Sequence, residues 1–333
     1  MLKRLRRLLV AAALLIVAAV AAAWWWLGQP LALRGDRVEV SIEQGTTPRE
    51  VVKLWVDAGV DVTPELLYQW FRWSGQARKI RAGSYEIGPG TTPRELLDKM
   101  VRGDEVLENL RLIDGWTFRQ VRQAMADSPN LKQTITLLSD EQVARLLGLE
   151  SGVIEGHVFP DTYAYSRGVS DVTVLKRATA AMTRQLQSAW ADRAQGLPFD
   201  NPEAALVLAS VVEKETGSAG DRGRIAAVFI NRLKAGMPLQ SDPTVIYGLG
   251  ARFDGNLHRN DLAADTPWNT YTRAGLPPTP IAMPGLASLR AALRPDASRA
   301  LYFVARGDGS SVFSETLDDH NRAVNQFQKG QKK

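Results

Sequence analysis

The chain has 333 residues, of which 45% are hydrophobic and 23% charged, so it is long enough for two domains with a sizeable core. The absence of cysteine excludes disulfides, a thiol nucleophile and cysteine-ligated metal sites. The net charge is +5, but much of the basic charge lies at the two ends, at Lys3, Arg4, Arg6, Arg7, Lys329, Lys332 and Lys333. The chain between the ends is therefore slightly acidic, which argues against a nucleic-acid-binding surface.

The first predicted element is a membrane-spanning helix. Leu8–Leu27 carries no charge, and 20 residues of helix cross about 30 Å of hydrocarbon. The basic residues before this stretch place residues 1–7 in the cytoplasm by the positive-inside rule. We predict a transmembrane anchor at residues 8–28, with Trp24–Trp26 at the far interface and a short tether at residues 29–36. A cleaved signal peptide is the alternative, because small residues suited to cleavage lie within the same stretch.

An internal repeat defines the next region. Gly45–Glu50 recurs letter for letter as Gly90–Glu95. In each copy the second threonine is expected to cap a helix, the proline to take its first position and the glutamate to close a capping box. Alternating stretches typical of strands precede the copies, and a further helix separates them, at Val38–Ile42, Ser84–Ile87 and Glu65–Trp73. The pattern predicts a small α/β module over residues 37–105, either a plain scaffold or a binding module.

Residues 106–328 are predicted to form a larger mixed α+β domain. One stretch, Glu155–Tyr163, interrupts its helical pattern with aromatic residues, a proline and two acids, and is predicted to be a structured loop. The predicted helices cover residues 117–125, 139–147, 170–194, 224–233 and 288–293, a short helix capped by Asp242, and a last helix containing His320 and Asn321; the predicted strands are 300–305 and 311–314.

The most informative helix begins at Asn201, with Pro202 at its first position, and ends in an apolar run that carries two acids. At about 100° per residue, Glu213 and Glu215 lie on opposite faces, so they cannot act as a close pair from one straight helix. Glu215 shares its face with bulky apolar residues: Leu208, Val211 and Val212. Loss of water is therefore expected to raise its pKa, which is the property that a general acid needs.

Glu213 shares its face with smaller residues, Ala209 and Ser210, as well as Leu206. It is expected to stay ionised and to act as a structural or orienting partner. An ordinary ion pair of either acid with Arg222 or Arg224 is the alternative.

The segments that follow suit a sugar site, because they place amides, hydroxyls and aromatic rings beside prolines. They are Gln240–Gly248, Trp268–Tyr271 and Gly275–Ile281. A rigid loop would have the same composition. The histidines show no metal-ligand spacing, and neither a nucleophile elbow nor a phosphate loop occurs, so we predict no metal, no cofactor and no nucleic-acid partner.

Together these motifs resemble the YceG-like endolytic murein transglycosylases. The resemblance runs from the predicted anchor to His320-Asn321 and rests on Val211–Thr216, Phe229–Leu233, Leu239–Gly248, Asn269–Tyr271, Gly275–Pro278 and Phe159–Thr162. It implies a single-pass protein of the inner membrane, with its C-terminal ectodomain in the periplasm, that cuts nascent peptidoglycan glycan strands internally. The repeat region resembles the LysM-like peptidoglycan-binding module of that family. The family's catalytic glutamate matches Glu215.

The resemblance also supplies a substrate for Glu215. The acid is expected to protonate the glycosidic oxygen between N-acetylmuramic acid and N-acetylglucosamine, after which the sugar's own C6 hydroxyl attacks C1 and leaves a 1,6-anhydro end. The candidate substrate-binding residues are Glu213, Gln240, Ser241, Asp242, Asn269 and Tyr271. The expected partners are glycan strands, the inner membrane and peptidoglycan synthases. A hydrolase using Glu155 or Asp161 as a second carboxylate is one alternative, and a non-catalytic scaffold for synthases is another.

Overall fold

The computed structural model describes residues 2–329 and divides the chain into two compact units. The first contains the residues up to Glu108 together with a returning segment, Ala164–Val169. The second contains Asn109–Tyr163 and the residues from Ser170 onward. The return of the chain to the first unit was not predicted. The returning segment contacts the first unit through Arg167, whose Nε donates to Glu108 Oε1 over 3.1 Å.

The first unit begins with α1 (Leu2–Trp26). Within the described residues, Arg4–Trp26 is the one helix that is long and apolar enough to cross a membrane. Its side chains from Arg4 to Trp25 are exposed, as expected of a helix whose apolar surface would face lipid.

The rest of the first unit is the small α/β module. Its elements are β1 (Ala32–Leu33), β2 (Val38–Ile42), α2 (Pro48–Ala58), β3 (Val60–Asp61), α3 (Pro64–Trp73), β4 (Gly83–Ile87) and α4 (Pro93–Arg102). Strands β2 and β4 pair antiparallel with Val38 opposite Ile87, and β1 pairs antiparallel with β3. Both predicted capping boxes are confirmed, at Thr47 with Glu50 and at Thr92 with Glu95. The inward faces of the helices and strands enclose a core centred on the fully buried Trp55.

The predicted tether at residues 29–36 is wrong. Leu31 is buried in the core of the module and its backbone N–H donates to Thr91 O over 2.8 Å. Residues 32–33 form β1 and are therefore part of a sheet. The prolines, glycines and polar residues of this stretch suggested a linker, but its two leucines gain more by packing against the module than they would in water.

The remaining elements lie in the second unit or lead into it. The helices are α5 (Phe118–Ala126), α6 (Asp140–Leu146), α7 (Asp171–Ala191), α8 (Pro202–Glu215), α9 (Arg222–Lys234), α10 (Asp242–Leu249), α11 (Arg259–Ala263), α12 (Leu286–Leu293) and α13 (Leu317–Val324). The strands are β5 (Leu107–Arg111), β6 (Thr162–Ser166), β7 (Tyr302–Ala305) and β8 (Ser311–Ser314), of which β7 and β8 pair antiparallel. The predicted α+β class is confirmed.

Helix α8 is the centre of the second unit. It packs against α7, α9, α10 and α12, and every residue from Ala205 to Val212 is buried. A helix that is apolar on all sides must be surrounded in this way to remove its surface from water. The C-terminal end of α8, which carries the two acids, is thereby held on several sides.

Candidate active site

The position of the two acids follows from the helix that carries them. Asn201 Oδ1 accepts a hydrogen bond from Ala204 N–H over 2.9 Å, and Pro202 occupies the first turn, so the predicted start of α8 is confirmed. The helix ends at Glu215. Both acids therefore lie in its last turn, where the negative end of the helix dipole disfavours an ionised carboxylate.

Glu215 is half-buried and lacks a cationic partner. Ser241 Oγ donates to Glu215 Oε1 over 2.7 Å, and no basic side chain that the structure describes forms an ion pair with the carboxylate. Burial raises the pKa of Glu215, the hydrogen bond from Ser241 lowers it, and the nearby charge of Asp242 raises it further, with a net upward shift. A carboxyl of this kind can hold a proton and release it to a substrate.

Glu213 has the opposite surroundings, on the other face of the helix. Gly285 N–H donates to its Oε2 over 2.9 Å, and Arg222 Nη2 lies 3.5 Å from its Oε1. The side chain is only 8% exposed. The ion-pair alternative thus describes Glu213, whereas Glu215 has no such pair in the described part of the chain. Both oxygens of Glu213 are engaged, one of them by the residue that precedes α12, and its predicted role in substrate binding stays a prediction.

A third carboxyl, that of Asp114, lies near this ion pair. Burial raises the pKa of Asp114, and the negative charge of Glu213 raises it further. The Asp114 carboxylate also occupies the space over Gly285, where an added Cβ would come within 2.6 Å of Asp114 Oδ2. Any larger residue there would have to displace the Asp114 carboxylate, so the glycine lets the two acids approach the same helix start.

The segment before α10 supplies the contact to Glu215. Ser241 is 1% exposed, and its backbone N–H donates to Thr270 Oγ1 over 3.0 Å. The prediction that Asp242 caps α10 is wrong, because Ser241 occupies the cap position and Asp242 is the first helical residue. The Ser241 hydroxyl makes no capping bond, since it is already directed at Glu215. Ser241 is therefore a buried residue that donates a hydrogen bond to Glu215.

Asp242 and Tyr271 form a polar pair beside Glu215. Tyr271 O–H donates to Asp242 Oδ1 over 2.6 Å; the aspartate is exposed and the tyrosine half-buried. Burial raises the pKa of Tyr271, and its hydrogen bond to Asp242 raises it further, so the phenol keeps its proton. The pair presents a fixed hydroxyl and a fixed carboxylate at the surface.

Gln240 has an unusual backbone. Its φ of 51° makes it the single non-glycine residue with a positive φ in the described range 2–329. Such a conformation costs energy and persists only where the surroundings enforce it. Here Gln240 N–H donates to Thr270 O over 3.0 Å, and its Oε1 accepts from Arg232 Nη1 over 3.1 Å. The side chain is exposed, with its amide nitrogen free of hydrogen bonds from the described residues.

Asn269 lies below the surface and not at it. It is fully buried; its Nδ2 donates to Asp261 O, Leu262 O and Ala264 O, and its Oδ1 accepts from Tyr271 N–H. Asn269 therefore shapes the turn that carries Tyr271, and its contact with substrate stays a prediction. A buried amide must satisfy its donors and acceptor internally, and this one does so with backbone groups.

Two residues of the site had no predicted role. Arg232 is 7% exposed, and it binds the backbone carbonyls of Pro238, Leu239 and Leu301 in addition to Gln240. Thr270 binds both Gln240 and Ser241. Both residues fall within motifs that suggested the family resemblance, but their polar side chains gave no sign that they would be turned inward.

The chain is similar to known proteins over most of its length. A family model described as the YceG-like family matches residues 40–326. The chain belongs to the YceG-like family. The YceG-like chain is 31% identical over 310 residues to the endolytic murein transglycosylase of Bacillus subtilis, a match covering 87% of this chain and 84% of that protein. It is 28% identical over 321 residues to the endolytic murein transglycosylase of Streptococcus pneumoniae, covering 86% of this chain and 58% of that protein's length.

A solved structure is also similar to this YceG-like chain. The crystal structure of a protein described as YceG-like from Listeria monocytogenes matches with a TM-score of 0.56 and 29% sequence identity. The match covers 86% of this chain and 98% of that one.

The alternative carboxylates of the YceG-like chain lie in other surroundings. Glu155 is buried, its oxygens accept from Phe118 N–H at 3.1 and 3.2 Å, and Tyr247 O–H lies 3.3 Å from its Oε2. Burial raises the pKa of Glu155 to about 7. Asp161 is exposed and accepts from Thr162 N–H. Among residues 2–329, no group of three or more His, Asp or Glu side chains is arranged to hold a metal ion.

Proposed function

We propose that this YceG-like protein is an endolytic lytic transglycosylase that cleaves the bond between N-acetylmuramic acid and N-acetylglucosamine inside peptidoglycan glycan strands. The observation that carries the proposal is Glu215, a half-buried carboxyl with a raised pKa, one hydroxyl partner and no ion pair among the described residues. The relatives named endolytic murein transglycosylase support the choice of substrate.

In the first step Glu215 acts as the general acid. Its raised pKa favours the protonated form, and the carboxyl donates this proton to the glycosidic oxygen as the bond to C1 breaks. The leaving sugar departs with that proton, and positive charge develops at C1 and the ring oxygen. The carboxylate left behind is stabilised by the hydrogen bond from Ser241.

In the second step the same carboxylate acts as the base. The C6 hydroxyl of the N-acetylmuramic acid attacks C1, and Glu215 takes the hydroxyl proton, which forms a 1,6-anhydro ring and restores the acid. Intramolecular attack needs no activated water, because the nucleophile is already held by the sugar ring. One carboxyl therefore suffices, which agrees with the engagement of Glu213 elsewhere.

The substrate is held, on this proposal, by the exposed groups around Glu215. The free amide nitrogen of Gln240 can donate to a sugar oxygen or an N-acetyl carbonyl, and Asp242 with Tyr271 can accept from or donate to hydroxyls. Ser241 and Asn269 support these groups from below. The strained backbone of Gln240 is consistent with a side chain that has to be held in one position.

The first unit suggests where the reaction takes place. Helix α1 would cross the inner membrane once and leave the ectodomain in the periplasm, because the basic residues precede it. The small α/β module would bind glycan in the manner of a LysM-like module. An enzyme so anchored would cut nascent strands close to the synthases that make them, and would thereby end their elongation.

No observation specifically favours either alternative, the hydrolase or the non-catalytic scaffold. A two-carboxylate hydrolase would need a second acid free to activate water, but Glu155 is buried with its oxygens hydrogen-bonded to Phe118 and Tyr247. Asp161 is exposed and accepts a hydrogen bond from Thr162 N–H. A non-catalytic scaffold would have no need of an unpaired carboxyl at the end of a buried helix.

Analysis of chain ends after digestion tests the proposal. We expect the full-length protein in detergent to cut long, purified glycan strands internally, with mass spectrometry finding 1,6-anhydro ends. Reducing ends in their place would overturn the transglycosylase mechanism in favour of a hydrolase. A folded protein that cuts nothing would favour the scaffold. Glu155→Gln is the matched variant, because we expect it to keep the anhydro product at a rate within a few-fold of the native one.

A further inference from the structure

Helix α1 is joined to the small module without a flexible link. The residue after the helix, Leu27, is 6% exposed, and Trp26 packs against the core of the module. Leu31 N–H donates to Thr91 O, and Arg34 N–H donates to Gly59 O over 2.9 Å. Trp26, Leu31 and Arg34 are therefore held by the module, which places the module directly at the end of α1.

The start of α4 lies beside the end of α1. The guanidinium carbon of Arg94 is 4.7 Å from the centre of the Trp24 ring, a cation–π contact within the last turn of α1. Tryptophans at the end of a membrane-spanning helix lie at the level of the lipid headgroups. Arg94 must then lie at that level too, because it is in contact with one of them.

The repeat supplies a direct comparison for Arg94. Its equivalent in the first copy is Arg49, which lies over the Tyr68 ring and pairs with Glu65 across 3.3 Å. Arg94 forms no ion pair with the described residues, and its neighbour Glu95 is used by the capping box with Thr92. Of two equivalent arginines, the one beside the membrane helix is the one left without a carboxylate.

A second aromatic residue lies on the same part of the module. Trp70 Nε1 donates to Pro93 O over 3.1 Å, which brings α3 against the start of α4. Trp73 follows one helical turn later on the same face and is 76% exposed. An indole so exposed to water loses the benefit of burial, and the headgroup region of a bilayer is where indoles are most stable.

We propose that the module is seated on the periplasmic surface of the phospholipid bilayer, with Trp73 in the headgroup region and Arg94 bound to a lipid phosphate. The proposal rests on the proposed membrane anchoring by α1. The partner is the bilayer itself, whose phosphates supply the negative charge that Arg94 lacks among the described residues. Seating would hold the glycan-binding module at the height where new strands leave the membrane.

The absence of cysteine allows a direct test, because a single introduced thiol carries a nitroxide label at one known place. Labels are placed by Trp73→Cys, by Ala12→Cys in the middle of α1 and by Leu54→Cys on α2, each in the full-length chain in nanodiscs of phosphatidylglycerol and phosphatidylethanolamine. Collision with oxygen, which favours lipid, is compared with collision with a nickel chelate, which stays in water. The indole of Trp73 is exposed, so its replacement leaves the core intact, as thermal unfolding will verify.

We expect the labels at residues 12 and 73 to favour oxygen and the label at residue 54 to favour nickel. If residue 12 favours nickel, the membrane anchoring itself fails. If residue 12 favours oxygen and residue 73 behaves like residue 54, the anchoring stands and the seating is overturned. A label at residue 73 that loses nickel contact only when glycan is added would show that the occupant of this surface is glycan, which also overturns the proposal.

The role of Arg94 is tested on the same label at residue 73. We expect Arg94→Gln to reduce the oxygen-to-nickel ratio by up to about fivefold, the equivalent of about 1 kcal/mol for one arginine at an anionic surface. The matched variant Arg49→Gln, at the equivalent position of the repeat, should leave the ratio unchanged. Equal effects of the two variants would contradict the assignment of a phosphate to Arg94.

Discussion

The two faces at the end of α8 each carry a glutamate, and the two glutamates have opposite surroundings. On one face Glu213 accepts a backbone hydrogen bond and pairs with Arg222. On the other, Glu215 has a single hydroxyl partner, and burial raises its pKa. Two residues of separation turn a side chain by about 200°, so a helix packed on all sides delivers neighbouring acids to different surroundings. One acid is thereby suited to hold a structure together and the other to move a proton.

The largest expected effect comes from Glu215→Gln, which removes the proton without changing the shape. We expect glycan cleavage to fall by about a hundredfold to ten-thousandfold, the usual contribution of a general acid. Chain-end analysis against the native protein measures it. Cleavage at the native rate would show that the proton comes from another group and would end the distinction between the two faces.

The same variant has a second consequence, for stability. Because the pKa of Glu215 is raised above its ordinary value near 4.5, the folded state binds a proton more tightly than the unfolded state. The free energy of unfolding therefore falls as pH rises above that value, and Glu215→Gln should lose less stability than the native protein between about pH 4 and pH 8. Denaturant unfolding at both pH values would measure the difference.

The next effect belongs to Glu213→Gln and should appear in stability. The change leaves the partly buried Arg222 without its counter-charge, and we expect the free energy of unfolding to fall by about 1–3 kcal/mol. Cleavage below the melting temperature should persist at a similar turnover rate. A variant as inactive as Glu215→Gln but normally stable would assign Glu213 to the reaction.

Ser241→Ala sharpens the comparison through the pH profile of cleavage. The Ser241 hydroxyl donates to the charged form of Glu215 and lowers its pKa, so its loss should raise the pKa. The basic limb of the profile would then move to higher pH by up to about one unit, the value of one such hydrogen bond. Ser288→Ala is the control, because the Ser288 hydroxyl is buried without a partner in the described residues. An unmoved limb would remove Glu215 as the titrating acid.

The smallest effect is expected from Asp242→Asn, which should shift the pH profile of cleavage in the direction opposite to that of Ser241→Ala. The charge of Asp242 raises the pKa of Glu215, and asparagine removes that charge while still accepting from Tyr271. The basic limb should move to lower pH by less than about one unit. Asp318→Asn, an exposed change in α13, serves as the control. A shift in the same direction as that of Ser241→Ala would contradict the electrostatic account of this face.

Local sequence signals predicted much of the fold. The repeated threonine, proline and glutamate predicted two capping boxes that the structure contains, and Asn201 with Pro202 predicted the start of α8. These signals act within one helical turn, so they need no information from distant parts of the chain. The tether failed for the opposite reason, since Leu31 is held by Thr91, far along the sequence.

The sequence by itself determined that Glu213 and Glu215 face opposite ways, because the period of a helix is a local property. Only the tertiary structure decided that Arg222 and Gly285 meet the first acid and that Ser241 meets the second. These contacts depend on which helices pack together, and packing is a property of the whole core. The acidity of Glu215 arises from both, from a local turn of the helix and from the distant residues that exclude water around it.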